Sequence, residues 1–220
     1  MTQKIKFTVK SEWFSVLMIA AVIAGGLWAY PLLPDRVPSH WGITGQVDGW
    51  TSRLGHVIGV PGMMLALYLL FLALPYIEPR RNHFIQSWGF YTLIRNFMMA
   101  FFAVLFAITT YSGVTGVPVA IGVIVPVIVG VLFILIGNYL GQVRSNFFMG
   151  IRTPWTLSSE DNWHKTHRLG SYMFVLGGVL FLSAPFLPVP WNFYLPMTGI
   201  VLATVIPILM SYIWFAKSRR

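Results

Sequence analysis

A chain of 220 residues that is 56% hydrophobic and only 10% charged is not built for water, since a soluble domain carries about 25% charged residues. Its net charge of +9 would suggest a nucleic-acid partner in a soluble protein. Basic residues also collect at the cytoplasmic ends of membrane helices, and the hydropathy selects that reading, so no direct nucleic-acid contact is expected. The absence of cysteine excludes disulfides, thiolate catalysis and thiolate-held zinc.

A hydrocarbon core about 30 Å thick takes roughly 20 apolar residues per helix. Six apolar runs occur, at Trp13–Leu33, Val57–Ile77, Asn96–Ser112, Val117–Leu140, Leu169–Leu187 and Trp191–Phe215. In lipid the backbone must satisfy its own hydrogen bonds, so each run is read as a helix, including the β-branched stretch Val117–Val131. The first run follows Lys4, Lys6 and Lys10, as in a signal peptide. It ends in Tyr30-Pro31-Leu32-Leu33-Pro34 rather than in a small-x-small cleavage site, so it is read as a retained span. The third run is the shortest and is expected to extend back through Trp88–Ile94, with Arg95 snorkelling to the interface. Short links, Gly113-Val114-Thr115-Gly116 and Pro188-Val189-Pro190, make hairpins of the third and fourth and of the fifth and sixth runs. Pro118, Pro126, Pro185, Pro196 and Pro207 fall in or near the later spans as potential kinks. Gly137 and Gly141, four apart, suit either a close helix contact or the ordinary glycine content of membrane helices.

Thirteen of the fifteen Lys and Arg residues fall before the first run, between the second and third, between the fourth and fifth, or after the sixth. Only Arg36 and Arg53 fall on the other side. The positive-inside rule then predicts an all-α integral membrane protein of six transmembrane helices, N-in and C-in. No Asp, Glu, Lys, Arg or His lies deep within a run, so neither an ion path nor a catalytic group is expected at membrane depth. Asn138, the most polar residue near a span, is expected to bond a neighbouring helix. The chemistry is therefore expected in two loops, with no enzyme active site and no cofactor.

The predicted outer loop, between the first two spans, runs from Pro34 to His56. Pro34 and Pro38 fix φ, while Gly42, Gly45, Gly49 and the dipeptide Asp48-Gly49 supply turns. An ordered outer cap with a short β-hairpin is expected, anchored by Trp41 and Trp50 at headgroup level. His40, His56, Asp35 and Asp48 match no metal-ligand spacing. The loop is either a face for a binding partner or a staple joining two helices.

The inner loop spans Gly141 to Gly170. Ser158 or Ser159 suits a helix N-cap with Glu160 and Asp161 in its first turn, giving an interfacial helix from about Ser159 to Arg168 that joins the fifth span. Phe147, Phe148, Ile151 and Trp155 are expected to dip into the interface, with Arg144 and Arg152 toward lipid phosphates. His164 and His167, three apart, are expected on a solvated interfacial face rather than around a metal.

Both loops carry a resemblance. The segment Leu33-Pro34-Asp35-Arg36-Val37-Pro38, with His40-Trp41, Gly45 and Val47-Asp48-Gly49-Trp50, resembles the membrane domain of unknown function numbered 1648. The segments Gly137-Asn138-Tyr139-Leu140, Arg144, Asn146, Phe148-Met149-Gly150-Ile151-Arg152-Thr153-Pro154-Trp155-Thr156-Leu157 and Trp163-His164-Lys165-Thr166-His167-Arg168 resemble the SdpI-like immunity family. The resemblance implies two parts, residues 1–80 with the outer loop and 81–220 with the inner motif. It implies a multi-pass protein of the bacterial cytoplasmic membrane that gives resistance to a secreted peptide toxin, senses it, and tethers a cytoplasmic repressor. Pro34, Asp35, Arg36, Pro38, His40, Trp41, Asp48 and Trp50 would face the toxin. Asn138, Arg144, Asn146, Gly150, Arg152, Thr153, Pro154, Trp155, Trp163, His167 and Arg168 would form the cytoplasmic motif. Membrane lipids are the remaining expected partner. Competing readings are a small transporter or channel component, an interfacial enzyme using His164, His167 and Glu160, and an accessory membrane protein. The first is weakened by the missing intramembrane charge and the lack of an internal repeat.

Overall fold

The structure, a computed structural model, describes residues 7–218. Lys4, Lys6, Arg219 and Arg220, part of the expected charge bias, lie outside the described residues. Among the described residues, six helices are long and apolar enough to cross a membrane. They are α1 (Val9–Ala29, extended by a 3-10 turn to Leu32), α2 (Arg53–Ile77), α4 (Trp88–Thr115), α5 (Ile121–Leu140), α7 (Glu160–Ser183, extended by a 3-10 turn to Phe186) and α8 (Trp191–Ser218). Two short helices, α3 (Arg81–Gln86) and α6 (Pro154–Ser158), lie between spans. Strands β1 (Arg36–Trp41) and β2 (Val47–Ser52) lie between α1 and α2. By packing, the described residues form two compact units, one of residues 7–73 and 92–122, the other of 74–91 and 123–218.

In the first unit, α1 starts before its apolar run because Thr8 and Ser11 form a reciprocal cap, with Glu12 in the positive first turn. Ile19, Val22, Met64, Tyr68, Met99 and Phe106 form the buried core between α1, α2 and α4. The third span extends back to Trp88 as expected, but Arg95 does not snorkel. It is 0% exposed, with Nη1 at 2.9 Å from Glu12 Oε1 and Nη2 donating to the Ser11 carbonyl at 2.7 Å. The Tyr68 hydroxyl donates to Glu12 Oε2 at 2.9 Å, and Ser15 donates to Asn96 at 3.0 Å. Glu12 and Arg95 lie just outside the apolar runs Trp13–Leu33 and Asn96–Ser112 but inside the helices, which start earlier than the runs. The early start of α1 and of α4 brings an acid and a base inside the helices, each compensating the other's desolvation.

In the second unit, α7 packs between α5 and α8 through glycine. A Cβ on Gly130 would stand 2.9 Å from the Gly178 carbonyl oxygen, and one on Gly177 2.9 Å from that of Gly199. Gly137 closes on Ser171 and Val175 in the same way, whereas a Cβ on Gly141 meets only the Ser171 hydroxyl at 3.2 Å. The contact row on α5 is therefore Gly130 and Gly137, seven apart, rather than Gly137 and Gly141. Phe133 fills the space beside it, 5.1 Å from Phe174 and 5.2 Å from Phe181 between ring centroids. Helix α5 runs through Pro126 and α8 through Pro196 and Pro207. Asn138 is exposed and its carbonyl accepts from Gln142, so the expected interhelical bond does not form. The reason is position: Gly137, not Asn138, lies on the face of α5 that meets α7.

Candidate functional site

The turn-rich segment of the first unit folds as an antiparallel hairpin pairing Arg36 with Ser52, Val37 with Thr51, Pro38 with Trp50, His40 with Gly49 and Trp41 with Val47. The register shifts on either side of His40, just after Pro38, which has no N–H to give to a ladder. The turn closes through Gly45, whose φ of 80° suits glycine, with the Gly42 amide donating to the Gln46 carbonyl at 2.9 Å. One inward side chain anchors the hairpin: Val37 is fully buried with Ala29 and Leu33, against Val57 and Val114. At its base, Arg53 Nη2 donates to Asp35 Oδ1 at 2.7 Å and the Arg53 amide donates to the Asp35 carbonyl at 3.2 Å. The Arg53 guanidinium also lies over Tyr30, 5.6 Å from the ring centroid.

Near the turn, His40 Nδ1 meets Asp48 Oδ1 at 2.5 Å across the strands. Pro34, Asp35, Arg36, His40, Asp48 and Trp50 are exposed, and Pro38 and Trp41 half-buried. The structure thus presents the eight expected residues on one small element, as a mixed-charge surface with an open indole. His56 does not join them. It is buried in the first turns of α2, bonded to Thr110 at 2.8 Å and stacked on Phe106.

The second unit holds the inner motif as a folded knot. Trp163 and His167, one turn apart on α7, stack with ring centroids 3.9 Å apart. Trp163 Nε1 donates to the Val143 carbonyl at 2.8 Å. His167 Nδ1 lies 2.8 Å from the Trp163 carbonyl, and its Nε2 accepts the Ile151 amide at 3.0 Å. A carbonyl on one nitrogen and an N–H on the other require the neutral Nδ1–H imidazole. The chain reaches His167 through Gly150 at φ 99°, where a Cβ would collide with Nε2. The expected solvated face therefore belongs to His164 alone, which is exposed. His167 is fully buried because positions 162, 163, 166, 167 and 170 form the inward stripe of α7.

Asn146, also fully buried, folds the loop around itself. Its Oδ1 accepts the Phe148 and Met149 amides at 2.9 and 2.6 Å, and Nδ2 donates to the Arg144 carbonyl at 2.7 Å. Thr153 caps α6 reciprocally with Thr156, and Pro154 stands at its start. Ser159 caps α7, which continues from Glu160 to Ser183 as one helix, so the expected interfacial helix is its first turns. Trp155 and Ile151 are half-buried. Trp155 packs on Tyr212, and Ile151 approaches Gly170. The first contact is with α8 and the second with α7. Arg152 is exposed, and its Nη1 donates to the Phe147 carbonyl. Arg144 and Arg168 are exposed.

Sequence reasoning missed the groups that tie this knot down. Glu78, 4% exposed, accepts the Arg80 amide at 2.8 Å and the Phe147 amide at 3.0 Å. Arg80 donates to Ser145 Oγ and to the Leu157 carbonyl, His83 Nδ1 meets the Ser145 carbonyl at 2.9 Å, and Ser87 Oγ accepts the Arg144 amide at 3.1 Å. The one available signal was Glu78 itself, a solitary carboxylate beside two arginines in a chain with six acidic residues.

Six span-length apolar helices, with a hairpin and a polar knot of loop between them, define a small polytopic membrane protein. The chain is similar to the SdpI-like family: the model of the SdpI/YfhL protein family matches residues 142–211, and that of the Domain of unknown function (DUF1648) matches residues 16–65. It is similar to a protein named Immunity protein SdpI of Bacillus subtilis (strain 168), 25% identical over 208 residues, covering 94% of this chain and 97% of that protein. No solved structure matches.

Proposed function

We propose that this chain is an immunity protein of the bacterial cytoplasmic membrane that protects its cell from a secreted antimicrobial peptide. The observation that supports this reading is similarity to an immunity protein along nearly the full length of both chains, rather than through one motif. The hairpin from Pro34 to Trp50 is the toxin-facing element. Its Trp50 indole is 53% exposed on the strand that also carries Asp48, opposite the strand that carries Arg36 and His40, an apolar anchor on an element bearing both signs of charge. With the termini inside, as the lysine and arginine distribution favours, the hairpin is extracellular and the motif knot cytoplasmic. The unit that carries the hairpin is then the receptor part and the unit that carries the knot the motif part, with the knot as the surface for a cytoplasmic repressor.

The test is protection. The chain expressed alone should let sensitive cells grow in toxin, and Trp50→Ala should lower the tolerated dose at least tenfold while membrane levels of the protein stay constant. Growth of the Trp50→Ala cells at the full wild-type dose would remove the hairpin from the mechanism. Absence of protection by the wild-type chain would remove the function.

A further inference from the structure

The second unit has an uneven charge ledger. Among its described residues, every carboxylate is already engaged. Glu78 accepts two main-chain amides, Glu160 lies 4.0 Å from both Arg80 and His164, and Asp161 is bonded to Lys165 at 2.7 Å. Arg80 and Arg152 spend guanidinium donors on the loop. Arg81, Arg144 and Arg168 are exposed, with no carboxylate in ion-pair distance among the described residues.

Each of these three arginines lies within five residues of an exposed tyrosine. Arg81 lies over Tyr76, 5.8 Å from its ring centroid, in the last turn of α2. Arg144 follows Tyr139, which is in the last turn of α5. Arg168 is one turn before Tyr172 on α7. The tyrosines are 61%, 40% and 60% exposed. Along the outer face of α7 the order is Asp161, His164 and Lys165, Arg168, Tyr172, Leu176, Val179, all exposed and spaced three or four apart. That sequence passes from charged through aromatic to aliphatic over roughly 27 Å at 1.5 Å per residue. It is the profile of water, headgroups and hydrocarbon in turn, and it puts Arg168 at the phosphates.

We propose that Arg81, Arg144 and Arg168 bind the phosphate groups of anionic phospholipid at the headgroup level of this unit. A lipid is favoured over an acidic protein because Arg81 lies over an exposed tyrosine and Arg168 one helical turn from another, rings suited to the bilayer interface. The inference rests on the spans and the ion pairs, independently of any toxin.

Spin-labelled phosphatidylglycerol and phosphatidylcholine, compared in phosphatidylcholine vesicles holding the full-length chain, give the relative association of each lipid with the protein. The wild type should prefer phosphatidylglycerol, and the preference should fall with added salt. It should drop roughly fivefold for each arginine removed in Arg81→Gln, Arg144→Gln and Arg168→Gln. The charge-keeping pair Arg144→Lys with Arg168→Lys should retain the preference, which a loss of fold would not. An equal preference in the glutamine variants, a salt-insensitive preference, or no preference in the wild type would each overturn the proposal.

Discussion

Glu12 and Arg95 show why single residues carry so much of this structure. Each is a charge within a membrane-length helix, and each is tolerable because the other stands 2.9 Å away, with Tyr68 and the Ser11 carbonyl taking further hydrogen bonds. Removing one partner leaves a buried charge without compensation and should cost about 3–5 kcal/mol, whereas removing both leaves an apolar contact of similar volume. In a double-mutant cycle read by unfolding in detergent, Arg95→Met and Glu12→Met should each destabilise strongly, and the double variant should recover most of the loss. Additive losses would show that the two charges do not support each other. The pair was invisible in sequence, since its members are 83 positions apart and each sits just outside an apolar run. His167 was half legible: its spacing from Trp163 and the neighbouring Gly150-Ile151 marked a motif, but its burial follows from the loop that folds back onto it.

At the scale of elements, the helices were legible because hydropathy is a one-dimensional property and lipid leaves the backbone no alternative to helix. Contact faces were less so. The pair Gly137 and Gly141 satisfied the small-residue spacing, yet the close approach runs through Gly130 and Gly137 of α5 and Gly178 of α7. Any helix rich in glycine offers several such spacings, and only the partner's surface selects among them. A leucine at position 178 would meet Ile134 and the Gly130 carbonyl, so Gly178→Leu should destabilise by about 1–3 kcal/mol through overpacking. Gly141→Leu, which meets only a serine hydroxyl, should cost distinctly less; comparison of the two melting temperatures in detergent checks the assignment. The hairpin was legible in its turn residues, because glycine and proline report backbone conformation directly. Its anchor, Val37, was not distinguished from any other apolar residue.

For the molecule as a whole, the testable quantity is the membrane topology. The chain has no cysteine, so single cysteines report their own side of the membrane without background. Thr44 and Gln46 in the hairpin turn and His164 on α7 are exposed. In intact cells a membrane-impermeant maleimide should label Thr44→Cys and Gln46→Cys, and should label His164→Cys only after the membrane is opened. Labelling of all three from outside would break the proposed assignment of sides.

The sequence by itself determined the class of protein, the number of spans and the resemblance to a family, because composition, apolar run length and local motif are all properties of chain order. Tertiary structure alone decided which polar groups are buried and by whom they are met: Arg95 by Glu12, the Phe147 amide by Glu78, and the Ile151 amide by His167. Burying a polar group costs free energy that only a specific partner offsets, and such partners are brought together by packing between segments remote in the chain.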